Sequence, residues 1–100
     1  MTGKRIEPDP RKDAINRRKH GLSLYDAAEF DWDAAVEART RPDQYGRERI
    51  KVVSLYQGRV HVLIYSNLGG EAIAPISFRR AKKKERQAYE DYRKAQGHAT

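Results

Sequence analysis

Two histidines, one carboxylate and one phenol stand out as candidate proton carriers: His20, Glu48, His61 and Tyr65. Around them Lys19, Arg49, Arg79 and Arg80 could hold a phosphate. Cleavage of RNA without a metal needs such a set: a base near the ribose 2′-hydroxyl, an acid near the leaving 5′-oxygen, and cations around the phosphate as its charge grows. Arginine suits the clamp because its planar fork holds two phosphate oxygens and its charge does not vary near neutral pH. Each residue also has a plainer reading. Lys19 and His20 can simply satisfy the carboxyl end of a helix. Glu48, between Arg47 and Arg49, can be a solvated charge cluster after a Tyr45-Gly46 turn. Glu85 reads as a residue reaching back to a free helix N–H near Lys82. The run Arg79, Arg80, Lys82, Lys83, Lys84 and Arg86 is either a solvated basic helix start or an RNA-binding surface reinforced by free N–H groups.

The elements that must position these groups follow from local patterns. Asp9 as N-cap, Pro10 at the first helical position and Gly21 after Lys19 and His20 predict a helix over Pro10–His20. Ser23, with Asp26 three residues on and an apolar set from Leu22 to Phe30, predicts a short second helix ending near Asp31. Val36 to Thr40 could extend that helix or form a strand. Ile50–Tyr56 and Val60–Ser66, rich in β-branched and aromatic residues and joined at Gln57-Gly58-Arg59, predict a hairpin. Alternation along the second strand assigns Val60, Val62 and Ile64 to the core and leaves His61 and Tyr65 on the more open face. Gly69-Gly70 marks a turn, and Ala72–Ser77 a third strand that Pro75 makes an edge or a bulge. A last helix runs from about Lys82 to Lys94, with Ala88, Tyr89 and Tyr92 on one face. The class is α+β, with a small antiparallel sheet of three to four strands, two N-terminal helices and one C-terminal helix.

With 100 residues, the chain has room for one domain and a thin core, which favours a partner subunit. Its net charge of +7 favours a polyanion. Basic residues concentrate in 11–20 and 79–94 and flank an acidic stretch from Asp26 to Asp43, so the basic ends are expected to meet on one face. Without cysteine, thiolate zinc sites, disulfides and thiol nucleophiles are excluded. No phosphate-cradling glycine loop is present, and no cofactor or metal is expected. No stretch has the apolar length of a signal peptide or membrane span, so the cytoplasm is the expected location.

The segments R-K-D-A-I-N-R-R-K-H-G (11–21), L-Y-D-A-A (24–28), Y-G-R-E-R (45–49), G-R-V-H-V (58–62) and I-S-F-R-R-A-K-K-K-E-R (76–86) together resemble the BrnT family of type II toxins. That resemblance implies a RelE-like fold and metal-independent RNA cleavage that arrests translation. It also implies neutralisation by a cognate antitoxin carrying a DNA-binding domain, within a homodimer or a heterotetramer. Its motif residues fall on Lys19, His20, Glu48, Arg49, Tyr65, Ser77 and Arg79. Members usually open on F-E-W-D, which is I-E-P-D here (6–9) and weakens the expected first strand, and many carry arginines at the positions of Leu68 and Ala74, so this chain resembles a second branch lacking both. Arg49 and Arg79 are then expected to stabilise the phosphate, Glu48 or His61 to act as base, and Lys19 and Tyr65 to place the substrate. The alternative is a catalytically inactive module that binds RNA or antitoxin.

Overall fold

The hairpin organises the chain. In a computed structural model that describes residues 4–38 and 48–97, strand β3 (Ile50–Tyr56) pairs antiparallel with β4 (Arg59–Gly69) through the Gln57–Gly58 turn. Both turn residues have positive φ, 51° at Gln57 and 76° at Gly58, the signature of a two-residue hairpin turn whose twist matches its strands. Before them come β1 (Arg5–Ile6), helix α1 (Pro10–His20), two short 3-10 helices (Leu24–Glu29 and Trp32–Ala34) and β2 (Val36–Ala38). After them come β5 (Ala72–Arg80) and helix α2 (Lys83–Ala95). The sheet order is β1-β5-β4-β3-β2.

Several expectations are corrected. The sheet has five strands rather than three to four, and it is mixed, because β1 pairs parallel with β5. Two residues suffice for β1 because β5 already offers a formed edge, so a strand still forms at Arg5–Ile6, with only Ile6 of I-E-P-D in it. The segment after Ser23 forms 3-10 turns and no second α-helix. Ser23 does cap it, accepting from the Tyr25 N–H. Val36–Ala38 is strand, and the turn at Tyr45-Gly46 lies outside the described residues. β5 runs on to Arg80, and its register against β4 shifts where Ile64 and Tyr65 face Ser77 and Pro75, which leaves Ile76 as the extra residue. The caps of α1 form as expected: Asp9 accepts the Arg11 N–H at 2.8 Å, and Gly21 adopts φ 72°.

Both faces of the sheet are covered, so Val60 and Val62 are core as expected, while the face expected to be open, that of His61 and Tyr65, is covered too. Val62, with Val53, Val60 and Tyr89, packs beneath α2 in the smaller cluster. Leu63 and Tyr65 face the larger one, with Leu24, Phe30, Ile73 and Phe78. His61 and Tyr65 are therefore buried, at 4% and 6% exposure. Phe78 centres that core, edge-on to Phe30 and Tyr56 at 5.8 and 5.1 Å. Among the described residues no helix is long and apolar enough to cross a membrane.

Helix α1 docks without an apolar stripe. Its buried residues are Asp13 and Asn16, while Ile15 is 48% exposed. Asp13 accepts from the Ser23 hydroxyl at 2.9 Å and the Leu24 N–H at 2.7 Å. Asn16 accepts the Phe78 N–H at 3.0 Å and donates to the Phe78 and Leu22 carbonyls, both at 2.9 Å. Its carboxamide thus takes the place of a neighbouring strand along the part of β5 that β1 is too short to reach. Asn16→Ala leaves a buried donor and acceptor of β5 unmatched, with an expected cost of about 3 kcal/mol. Asn16→Gln recovers little of it because the longer side chain misplaces both groups. Denaturant titration of the two variants measures this.

Candidate active site

The last turn of α1 carries Arg17, Arg18, Lys19 and His20, where cations meet the negative end of the helix dipole. The left-handed Gly21 then turns the chain away and leaves Lys19 and His20 exposed. On the α2 face of β5, opposite to Phe78, stand Ser77 and Arg79, paired with Ile64 and Val62. Arg49, just before β3, completes the group. Lys19, His20, Arg49 and Ser77 line one depression of about 270 Å³, which Lys12 also borders. The Nε–H of Arg49 is buried there with no hydrogen-bond acceptor among the described residues. An uncompensated buried donor is costly, and the guanidinium it belongs to is a fork suited to an oxyanion.

Arg79 is already engaged. Its two terminal nitrogens donate to Glu85 at 2.8 and 2.9 Å, Lys51 Nζ reaches the same carboxylate at 3.1 Å, and the Lys82 N–H donates to it at 2.8 Å. The Arg79 hydrogen bonds hold the Glu85 carboxyl far below the ordinary carboxylate range, opposed by burial and helped by the Lys82 N–H and by Lys51. Glu85 raises Arg79 in return. The reading of Glu85 as a residue that satisfies the helix start holds. It also corrects the idea of a vacant anion site at the start of α2, because the chain's own carboxylate occupies it. His20 is shifted down by loss of surrounding water, then by the charges of Arg79 and Lys19. That shift favours the neutral ring, the form that can accept a proton.

The structure does not bring all the expected residues to this place. Glu48 borders a neighbouring depression of about 340 Å³ with Asp9, Lys12, Ser66, Leu68 and Ala74. His61 and Tyr65, expected on an open face, point into the opposite side of the sheet. Burial raises the Tyr65 hydroxyl, followed by the charges of Glu37 and Glu48. His61 Nδ1 lies 2.8 Å from the Arg59 carbonyl, and burial lowers its pKa despite that bond. Arg80 faces away from Arg79, into a second depression that His20 also borders. Lys82, Lys83 and Lys84 are exposed at the start of α2. Of the two basic segments, His20 from the first and Arg80 from the second border the same depression.

Sequence reasoning missed Lys51 and Asn16. Lys51 is a lone cation among β-branched residues on a strand, a pattern that signals a buried partner. Asn16 lies three residues after Asp13 on a helix with no apolar stripe, the spacing of a polar docking face.

A small basic α+β domain with a mixed sheet and cations gathered around one neutral imidazole has the makings of a ribonuclease. Residues 9–85 match the family model described as the ribonuclease toxin, BrnT, of type II toxin-antitoxin systems. The chain belongs to the BrnT family of ribonuclease toxins. It is similar to the ribonuclease toxin BrnT of Brucella abortus, solved in a 1.1 Å crystal structure, with 28% identity over 80% of this chain and 99% of that one and a TM-score of 0.64. No curated relative matches.

The Arg79–Glu85–Lys51 cluster sets an acid dependence. Because the Glu85 carboxyl is lowered in the folded chain, its stabilisation is complete above the ordinary value of 4.5 and is lost as pH falls below it. Glu85→Gln is expected to cost about 2 kcal/mol at pH 7 and to flatten the fall in melting temperature between pH 5 and 3. Thermal melts across that range, on both proteins, provide the check.

Proposed function

We propose that this chain is the toxin of a type II pair and cleaves RNA without a metal at the depression lined by Lys19, His20, Arg49 and Ser77. The observation that carries the reading is the gathering of these four side chains from three separate stretches of the chain around one depression, where the Arg49 Nε–H has no acceptor among the described residues. Arg49 binds the scissile phosphate, with Ser77 Oγ as a further donor. Neutral His20 takes the proton of the ribose 2′-hydroxyl, the 2′-oxygen bonds to phosphorus, and the bond from phosphorus to the 5′-oxygen breaks. The Lys19 ammonium gives the leaving oxygen its proton. The products are a 2′,3′-cyclic phosphate and a 5′-hydroxyl. Arg79, held by Glu85, acts as a positioning residue and adds positive potential behind the phosphate. The exposed Lys82, Lys83 and Lys84, with Arg80, attract the RNA strand.

The chain works as a single RelE-like domain in the cytoplasm, arrests translation by consuming RNA, and is silenced by an antitoxin with a DNA-binding half. The net charge of +7 favours an acidic segment in that partner. The thin core favours a homodimer or a heterotetramer with antitoxin. Leu68 and Ala74, where the family carries arginines, favour a second reading, a module that binds RNA or antitoxin without cutting.

Purified protein incubated with RNA in EDTA should leave 2′,3′-cyclic or 3′-phosphate ends. His20→Ala should lower the rate about 10²–10⁴-fold, and Arg49→Ala about 10²–10³-fold. Since His20 is shifted below 6.5, the acid limb of the rate should lie below that value, and Lys19→Gln should move it upward. Folded protein that cuts nothing from pH 6 to 9 yet binds RNA or antitoxin would establish the module instead.

A further inference from the structure

His20 borders two depressions, and the one not yet given a role is the larger. It encloses about 460 Å³, within the range of small-molecule sites. His20, Tyr56, Gln57, Arg59, His61 and Arg80 line it. Tyr56 and His61 form its buried part, edge-on to each other at 5.1 Å, while Gln57, Arg59 and Arg80 are exposed around it.

Its chemistry is that of a base rather than of a bare anion. Because a carbonyl oxygen can only accept, the 2.8 Å contact with Arg59 makes His61 Nδ1 the donor. In the neutral ring Nε2 is then an acceptor. Arg59 and Arg80 bring planar guanidinium donors, which bind acceptor pairs in two-pronged fashion and stack on aromatic planes. Gln57 adds an amide held in an unusual way. It takes φ 51° at a turn position where Asn or Gly would be unstrained, and a longer side chain there has a backbone cost of about 1 kcal/mol.

We propose that this depression is a nucleobase subsite that takes the base beside the cleaved phosphodiester, with guanine the best fit. Guanine presents the O6 and N7 acceptors that arginine reads, together with N–H donors suited to a neutral imidazole. The inference rests on the reading of the adjoining depression as the cleavage site, since His20 joins the two.

The test titrates the protein with the four nucleoside 3′-monophosphates and with inorganic phosphate while following the imidazole signals of His20 and His61 by NMR. Guanosine 3′-monophosphate is expected to shift both rings and to bind about tenfold tighter than phosphate, a difference of about 1.4 kcal/mol. Phosphate is expected to shift His20 alone. Arg59→Ala, an exposed position, should weaken the guanine nucleotide about fivefold or more, and should flatten base bias at the ends of RNA fragments. Equal shifts of His61 by phosphate, equal binding of all four nucleotides, or an Arg59→Ala variant that binds like the parent would each overturn the proposal. Because the titration needs no cleavage, a protein that binds guanine here but leaves RNA whole would uphold the subsite and refute the reaction. A protein that cuts RNA yet binds no nucleotide here would do the opposite.

Discussion

One side chain, Asn16, fixes the geometry on which the site depends. Its carboxamide closes three hydrogen bonds, two to the backbone of Phe78 and one to that of Leu22. His20 follows it by one turn of α1, so the ring stands on the same side of the helix. Ser77 and Arg79 flank Phe78 on β5 and point to the other face of the strand. A single amide therefore sets the distance between the helix that carries His20 and the strand that carries Ser77 and Arg79. Asp13, one turn earlier, does similar work toward the 3-10 segment and prevents the helix from pivoting about Asn16.

The charged groups divide into two kinds by partner. Arg79 and Lys51 converge on Glu85, which itself caps the start of α2, so these three residues bind α2 to the sheet and fill the helix N-terminus with a carboxylate. Arg49, Arg59 and Arg80 hold no carboxylate partner among the described residues, and all three line depressions that open beside His20. A cation bound in two prongs to a buried carboxylate contributes field and position. A cation without such a partner can meet a ligand directly.

Much of this was legible in the sequence where short-range chemistry decides the outcome. Asp9-Pro10 and Gly21 bounded α1, Gln57-Gly58 marked the hairpin, and Pro75 signalled the register shift beside it. Family motifs pointed to Lys19, His20, Arg49, Ser77 and Arg79, and only the fold shows that the first four adjoin. The failures came from long-range effects. β1 exists because β5, over sixty residues later, presents an edge, and no local pattern in two residues records that. On β4, apolar and aromatic residues occur on both faces, so alternation separated the faces without telling which was covered. The arrival of α2 covers one and the 3-10 segment the other, which buries His61 and Tyr65.

The polar attachment of α1 also shapes how the protein responds to temperature. Burial of apolar area carries a large heat-capacity change and weakens on cooling, and this governs the cores around Phe78 and Tyr89. The attachment of α1, by the Asn16 amide to β5 and by the Asp13 carboxylate to the 3-10 segment, is made of hydrogen bonds from the helix's only buried side chains, so cooling leaves it comparatively intact. The helix that carries His20 is thus fastened by the part of the structure least sensitive to cold, and the imidazole keeps its place while the hydrophobic layers beneath it loosen.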